Sequence, residues 1–253
     1  MSDSVTLDVA QMAGQIGRGV RVAVIDSGVH ASHPHIGGVV EGASVAADGG
    51  VRDGGAEDRL GHGTAVTAAI HEKAPGAAII PVRVFDRELS ATIDALVAAI
   101  RWAAGARAAL INLSLGTVNP AHADRLRDAI AMASGAGAAV VAAAPDPDHP
   151  WLPGGLPGVV AVELDWACPR DQCEIAWTDD GAATRIRASG FPRPIPGVAP
   201  ERNLRGVSFA VANATGLLAR ALEGVDPGGR SRLVAALAAM RDAARSGHEA
   251  SQL

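Results

Sequence analysis

The sequence has no tyrosine, a single lysine and two cysteines among its 253 residues, and aromatic residues make up only 3% of it. A hydrophobic core must therefore be built from Ala, Val, Leu and Ile. The cysteines, Cys168 and Cys173, are too few for a disulfide framework, and no further ligands stand nearby at the spacing of a zinc site. They are close enough in sequence for a local bridge, but we expect free thiols in a reducing compartment.

Positive charge is scarce as well. The formal net charge is −5, Lys73 is the only lysine, and the arginines are scattered without forming a basic stripe, which argues against nucleic acid as a partner. No apolar run approaches the length of a membrane span, and residues 1–18 lack the basic start and apolar segment of a secretory signal. The sequence therefore predicts a cytoplasmic protein that binds neither nucleic acid nor membrane.

The dominant pattern is an alternation of apolar runs with helix-like segments. Five runs rich in Val, Ile, Leu and Ala predict buried strands at Val20–Ile25, Ala78–Phe85, Ala109–Leu115, Ala138–Ala144 and Val159–Leu164. Helices are predicted at Ala65–Ile70, Ser90–Ala104, Pro120–Ser134, Ser208–Leu222 and Ser231–Arg245. This order predicts an α/β fold of three layers, with a mostly parallel central sheet and helices on both faces.

No repeat, linker or low-complexity segment divides the chain, so residues 1–253 are predicted to form one domain, with no pro-segment or signal peptide. Gly37–Gly61 is rich in Gly and Asp and is expected to be mostly loop. Asp165–Arg205 is expected to be irregular, with one strand at Thr184–Ala188. In a parallel sheet, functional residues gather beyond the carboxyl ends of the strands, and Asp26 and Asp146 both follow apolar strands.

Three polar residues stand where an acyl-transfer site needs them. Asp26 follows a buried strand, His62 lies in a turn between glycines, and Ser208 stands at a helix start, where backbone N–H groups and the helix dipole favour a developing anion. Separately, each has an ordinary alternative, as a turn residue, a surface imidazole and a helix N-cap. Together, in the chain order Asp, His, Ser, they match one known arrangement of the catalytic triad, in which His takes the Ser proton and Asp orients the imidazole.

The segments around these residues resemble the signatures of the subtilisin-like serine peptidases (peptidase S8, subtilases). The signatures are VAVIDSG at 22–28, GHGT at 61–64 and GVSFA at 206–210, with supporting similarity in PVRV at 81–84, INLSLG at 111–116 and VVAAA at 140–144. The similarity runs from about residue 15 to about residue 223. The resemblance implies a triad of Asp26, His62 and Ser208, and it implies that Ser114, Leu115 and Gly116 pair with the backbone of an extended substrate peptide.

The sequence departs from the family's pattern near the nucleophile and the oxyanion site. Relatives usually have Gly-Asn after the Ala-rich strand, and the Asn amide donates to the oxyanion, whereas this chain has Pro145-Asp146. Val207 replaces the usual Thr before the nucleophile, Ala212 replaces the usual Pro in its helix, and Ala65 replaces the usual His after GHGT. A protonated Asp146 could donate to the oxyanion and would favour activity at acid pH; otherwise Asp146 points to solvent and backbone N–H groups serve alone.

Two further departures concern metal and specificity. The segment His71–Gly76 has no room for the family's calcium loop, so we expect no metal and no cofactor. By spacing, Trp151 takes the place of the glycine at the floor of the primary specificity pocket. It then limits the residue before the scissile bond to a small one, or else it only packs against the loop Pro147–Pro153.

The sequence therefore favours a serine endopeptidase that acts through an acyl-enzyme on a peptide or protein, with narrow specificity, in the intracellular processing of a peptide precursor. A partner protein from the same pathway is a further expectation. The alternative is a subtilisin-fold pseudoprotease that binds a peptide or partner chain without cutting it. Peptide ligation is a third interpretation that the sequence does not separate from hydrolysis.

Overall fold

The computed structural model describes residues 4–177, 184–199, 202–225 and 233–239. Its strands are β1 (Ser4–Asp8), β2 (Arg21–Asp26), β3 (Ala43–Val45), β4 (Val51–Asp53), β5 (Ala78–Arg83), β6 (Leu110–Leu113), β7 (Ala139–Ala143), β8 (Val159–Leu164), β9 (Gln172–Trp177) and β10 (Thr184–Ala188). Its helices are α1 (His62–Lys73), α2 (Ile93–Gly105), α3 (Ala123–Gly135) and α4 (Val207–Ala221).

The strands form one sheet in the order β1-β9-β10-β8-β7-β6-β2-β5-β3-β4. All neighbouring pairs from β10 across to β3 are parallel. Antiparallel pairing joins β1 to β9, β9 to β10 and β3 to β4, at the two ends of the sheet. Because β2, β6 and β7 are parallel neighbours, their carboxyl ends meet at one edge, where the residues that follow them come together.

Helices cover both faces of this sheet. One apolar cluster joins α1 and α4 to the sheet through residues such as Val66 and Leu217, and a second joins α2 and α3 to it through residues such as Leu96 and Ile130. Each strand at the centre contributes side chains to both clusters, which is why its sequence reads as a continuous apolar run. The three-layer α/β fold expected from the sequence is confirmed.

The five strands predicted from apolar runs are present, to within about two residues at either end, and so is the strand Thr184–Ala188. The prediction of an irregular segment was wrong for β9, in which Cys173 and Ile175 are buried and their neighbours are partly exposed. Strands β3 and β4 lie within the segment expected to be mostly loop. Strand β4 is the edge of the sheet and β3 is next to it, and both are only three residues long, so they lack the apolar runs of central strands.

The remaining elements qualify the sequence predictions. Helix α2 starts at Ile93, three residues after the predicted start at Ser90, and is capped by the side chain of Thr92. Residues 233–239 are helical, and the rest of the helix predicted at Ser231–Arg245 lies outside the described residues.

Both cysteines are free thiols, as expected, and burial raises the pKa of Cys173. Among the described helices, none combines the length and hydropathy needed to cross a membrane.

Candidate active site

Asp26 is the last residue of β2 and is fully buried. Its carboxylate accepts a hydrogen bond from the backbone N–H of Ser27 at 2.7 Å. It also lies 2.8 and 3.0 Å, through its two oxygens, from Nδ1 of His62. A buried carboxylate needs partners of this kind, and here the partner is an imidazole whose position it fixes.

His62 is the first residue of α1, and the glycine after it brings the helix close to β2. The Gly63 N–H donates to the Ser27 hydroxyl at 2.9 Å. A Cβ at Gly63 would stand 2.2 Å from the carbonyl oxygen of Gly28, so a side chain at this position cannot be accommodated. The glycine therefore fixes the distance between the start of α1 and Asp26.

Asp58 holds the turn that precedes α1, and the sequence analysis missed it. Its carboxylate accepts hydrogen bonds from the hydroxyls of Ser27 and Thr64, at 2.7 and 2.5 Å, and from the backbone N–H groups of Leu60, Gly61 and Thr64. Burial raises the pKa of Asp58, but these hydrogen bonds outweigh burial and hold the pKa below its usual range. The only sequence signal is an acid four residues before the histidine, in a loop that contains several acids.

The environment of His62 favours its charged form. Burial lowers the pKa of its imidazole, but the hydrogen bond to Asp26, the negative charge of Asp26 and that of Asp58 together raise it above the ordinary value. The ring of Phe209 lies 5.9 Å away between centroids and covers one side of the imidazole. An imidazolium formed during a reaction would be stabilised by these two carboxylates.

Ser208 is the second residue of α4. The residue before this helix, Gly206, has φ 142° and ψ −173°, a conformation that residues with a Cβ rarely adopt, and this turn delivers Ser208 to the edge of the sheet. The Ser208 hydroxyl donates to the carbonyl oxygen of Ser114 at 3.4 Å. Within the described part of the chain, the Ser208 backbone N–H has no acceptor, so it is available to a negatively charged oxygen.

His62 and Ser208 face a common cavity of about 230 Å³, the active-site cavity, which Ser114, Leu115 and Gly116 also line. The segment after β6 is tied to the loop after β7 by two backbone hydrogen bonds between Thr117 and Leu152, at 2.9 and 2.8 Å. A Cβ at Gly116 would lie 2.6 Å from the Leu152 carbonyl oxygen, so glycine is required for this approach. The candidate substrate strand thus forms one wall of the cavity.

Trp151 lines the same cavity. Its ring stacks on His149, with centroids 5.2 Å apart and an interplanar angle of 14°. Its Cε3 atom would lie 3.4 Å from a Cβ at Gly116. The indole therefore lies close to Gly116 of the candidate substrate strand, in the wall of the cavity.

Asp146 is not among the residues that line the active-site cavity, and its hydrogen bonds argue against the hypothesis that it is a protonated oxyanion donor. Its Oδ1 accepts hydrogen bonds from the backbone N–H groups of Asp148 and His149, at 2.9 and 2.8 Å, and lies 3.1 Å from His149 Nδ1. Slight desolvation raises its pKa, but these partners outweigh it and hold the pKa below its usual range. The side chain is half exposed and ionised, and it closes its own turn instead of donating.

The segment in which no calcium loop was expected begins with the end of helix α1 and contains ion pairs. Helix α1 runs to Lys73, and the carboxylate of Glu72 pairs with Lys73 and with Arg170. Burial of Lys73, whose side chain is 3% exposed, lowers its pKa to about 8. Among the described residues, no group of three or more His, Cys, Asp or Glu side chains is placed to hold a metal ion.

The chain is similar to known proteins. The model of the Subtilase family matches residues 17–160. Subtilisin DY from Bacillus licheniformis is 35% identical over 147 residues, which are 54% of this chain and 51% of that protein. Thermitase from Thermoactinomyces vulgaris is 36% identical over 139 residues, 51% of this chain and 48% of that protein. The matches thus span about half the length of these relatives.

A solved structure of a cold-adapted subtilisin-like serine proteinase superposes with a TM-score of 0.67 at 22% identity, covering 87% of this chain and 81% of that one. At this identity the superposition establishes the fold alone. The family model, by contrast, matches more than half of the 253 residues, including Asp26 and His62. The chain belongs to the subtilase family.

Proposed function

We propose that the protein is a serine endopeptidase in which Ser208 is the nucleophile, His62 the general base and Asp26 the residue that orients it. The observation that carries the proposal is the hydrogen bond of 2.8 Å between His62 Nδ1 and the buried Asp26 carboxylate. His62 lines a cavity that Ser208 also lines. Membership of the subtilase family supports it independently.

In the proposed reaction, His62 Nε2 accepts the hydroxyl proton as Ser208 Oγ attacks the peptide carbonyl. The Nδ1–H remains directed at Asp26, which fixes the tautomer and stabilises the imidazolium. The backbone N–H of Ser208, at the positive end of α4, stabilises the oxyanion. His62 then donates the proton to the leaving amine, and water releases the acyl group by the same steps in reverse.

The contact of Ser208 Oγ with Ser114, at 3.4 Å, is compatible with this assignment. Hydrogen bonds between catalytic groups are often long before substrate binds and shorten in the complex. Ser114 belongs to the segment that we propose pairs with the substrate backbone, so a bound peptide would compete for its carbonyl and release the hydroxyl toward His62.

A fluorophosphonate probe tests the proposal directly, because it reacts only with a serine activated by its neighbours. We expect mass spectrometry to find one label on wild type, at Ser208, and none on Ser208→Ala or His62→Ala. Ser134→Ala, on α3 at the opposite face of the sheet, is the matched control and should label like wild type. Absence of label from correctly folded wild type would refute the assignment.

A second candidate, a peptide-binding pseudoprotease, is favoured by the position of Asp146. Its carboxylate points to solvent, so it supplies no donor at the place where relatives have an amide. Under this alternative, wild type would bind an extended peptide without labelling or cleavage. The carboxylate–imidazole pair favours the enzyme, because a binding module has no need of a buried carboxylate held on a histidine.

The finer parts of the proposal concern substrate and place of action. A narrow specificity for small residues before the scissile bond is supported by the position of Trp151 in the cavity wall. Processing of a peptide precursor in the cytoplasm, with a partner protein from the same pathway, remains a prediction from sequence. Identification of cleaved peptides from cell extracts, in wild type against Ser208→Ala, is the experiment that tests it.

A further inference from the structure

A second groove, of about 830 Å³, begins on the far side of the His62 turn. None of its lining residues lines the active-site cavity. Gly61 and Thr64, which flank His62, form one of its walls, and Asn203 and Leu204, shortly before Ser208, form another. We name it the leaving-side groove.

Its position defines what it can bind, if the proposed function holds. An acyl-enzyme has two sides, and the candidate substrate strand and Trp151 assign the active-site cavity to the acyl side. A groove that opens beyond both His62 and the loop before Ser208 receives the segment that follows the scissile bond. A volume of about 830 Å³ has room for a short peptide segment.

The groove carries positive charge that is not neutralised by neighbouring acids. Arg59, Arg193 and Arg202 line it; Arg59 pairs with Asp86, whereas Arg193 and Arg202 have no ion-pair partner among the described residues. Asp58 is the one carboxylate among the described lining residues, and its oxygens are already hydrogen-bonded within the His62 turn. Arg193 and Arg202 are therefore available to bind another anion.

Arg193 is held in place by its surroundings. Its Nη1 donates to the carbonyl oxygen of His35 at 3.2 Å, and its own carbonyl accepts from Asn203 Nδ2 at 3.4 Å. Burial, together with the charges of Arg193 and His33, lowers the pKa of His35, against a smaller opposing effect of Glu72. Arg193 presents to the groove a guanidinium, whose fork suits a carboxylate.

Apolar side chains complete the groove. Ile195 and Leu204 are 46% and 50% exposed and lie beside the arginines, together with Pro34 and Pro196. Exposed aliphatic residues next to these cations fit a peptide that offers both an acidic and an apolar side chain.

We propose that the leaving-side groove selects substrates that carry an acidic residue within the first three positions after the scissile bond, through Arg193 and Arg202. This preference for an acidic residue after the scissile bond adds to the small residue that is expected before it. Together they restrict cleavage to few sequences, as a processing enzyme requires.

Quenched peptides of Ala and Ser, identical except for Glu, Gln or Lys at the second and third positions after the scissile bond, test the proposal by turnover. We expect kcat/KM to fall in the order Glu, Gln, Lys. Arg193→Gln and Arg202→Gln should each reduce the ratio of kcat/KM for the Glu peptide to kcat/KM for the Gln peptide by about fivefold. This is the scale of one exposed charge pair. The preference should also weaken as salt is raised.

Arg101→Gln, an exposed arginine on α2 at the other face of the sheet, is the matched control and should keep the wild-type ratio. Arg193→Lys keeps the charge and should retain part of the preference. Equal kcat/KM for the three peptides in an enzyme that labels with fluorophosphonate would overturn the inference while leaving the proposed function intact.

A binding measurement tests the same inference in a protein that does not turn over. Fluorescent hexapeptides that represent the released segment, with Glu, Gln or Lys at their second and third positions, are titrated against Ser208→Ala. Tighter binding of the Glu peptide, lost with Arg193→Gln or Arg202→Gln in that background, supports the groove assignment. Equal affinities refute it, whatever the catalytic state of wild type.

Discussion

Asp26 ends one apolar strand of the sheet and Asp146 follows another, yet their carboxylates are held in different ways. Asp26 is fully buried, accepts a hydrogen bond from the backbone N–H of Ser27 and lies 2.8 Å from His62 Nδ1. Asp146 is half exposed and is satisfied by the backbone of its own turn. Burial and the available donors therefore assign different chemistry to the same residue type.

The exposure of Asp146 leads to a prediction about the oxyanion site. Asp146→Asn should leave kcat and its pH dependence within about twofold of wild type, because an Asn oxygen accepts the same turn hydrogen bonds and its amide would face solvent. Steady-state kinetics across pH 5 to 9 checks this, with Asp148→Asn as the control. Loss of the oxyanion Asn in subtilisin costs about 10²–10³ in turnover, so a rise of that size would place residue 146 in the oxyanion site after all.

The raised pKa of His62 fixes the direction of the pH profile. The base must be neutral, so kcat/KM should fall as pH drops through a pKa above the ordinary value of about 6.5. Asp58→Asn removes a negative charge that raises this pKa, so the acid limb should move to lower pH by less than about one unit. Glu57→Gln, an exposed neighbour, should leave the limb unchanged. A shift to higher pH in Asp58→Asn would contradict the assigned sign.

Trp151 gives a prediction about specificity. Trp151→Gly opens the wall of the active-site cavity and should allow cleavage after large apolar residues, whereas wild type should prefer Ala or Gly there. Peptide-library profiling measures the change. His149→Ala, which removes the stacked ring but none of the cavity lining, serves as the comparison. A library profile that is the same in Trp151→Gly and wild type would mean that the indole only packs against its loop.

At the scale of elements, the site depends on where two helices begin. Helix α1 starts at His62 and α4 starts one residue before Ser208, so both candidate catalytic side chains occupy helix N-termini at one edge of the sheet. Glycines make both approaches possible, Gly63 through contact with Gly28 and Gly206 through its backbone conformation. The catalytic geometry is therefore set by backbone packing.

Gly206→Ala tests whether the backbone conformation at this position, and not the space around it, requires glycine. A Cβ at this position would meet nothing within 4 Å, so the substitution causes no steric clash. The free energy of unfolding should instead fall by on the order of 1–3 kcal/mol, because alanine rarely adopts a φ of 142°. We expect lower stability and a larger loss of fluorophosphonate labelling, because relief of the strain displaces Ser208. Gly105→Ala, which ends α2 without positive φ or close contacts, should be neutral or stabilising. Denaturant melts and labelling rates measure both effects, and normal labelling of Gly206→Ala would argue against the constraint.

At the scale of the whole molecule, two charged side chains tie the helices that carry the candidate catalytic residues to the N-terminal segment. The guanidinium of Arg220, near the end of α4, donates to the carbonyl oxygens of Met12, Gln15 and Lys73. Glu223 accepts from the backbone N–H groups at residues 16, 17 and 18. These bonds fix the ends of α1 and α4 relative to each other, far from Ser208.

The same region gives a prediction about metal dependence. Because Glu72 is neutralised by Lys73 and Arg170, its oxygens are not available to calcium. Addition of calcium or EDTA should therefore change the melting temperature by less than about 2 °C, which for a chain of this size is under ~1 kcal/mol. Thermal melts in either additive check this, with magnesium as the ionic control. A fall of about 10 °C or more on chelation would contradict it.

The sequence by itself determined the central strands, the helices between them and the three signature residues. Each of these depends on local signals: apolar runs, helix spacing, and glycines that permit a particular turn. Strands β1, β3, β4 and β9 escaped prediction because they lie at or next to the edges of the sheet, where a strand needs no apolar run. The partner of β1, moreover, is distant in the chain.

Only the tertiary structure decided which polar residues act together. Asp58 could not be distinguished from other loop acids, because its role comes from hydrogen bonds with residues that folding brings around it. Asp146 stood at the position of an oxyanion donor, but the turn to His149 directs its carboxylate away. Arg193 and Arg202 line one groove with Gly61 because the loop before α4 packs beside the start of α1. Sequence spacing specifies local conformation, whereas burial, hydrogen-bond satisfaction and charge in a site depend on segments that meet only in the folded chain.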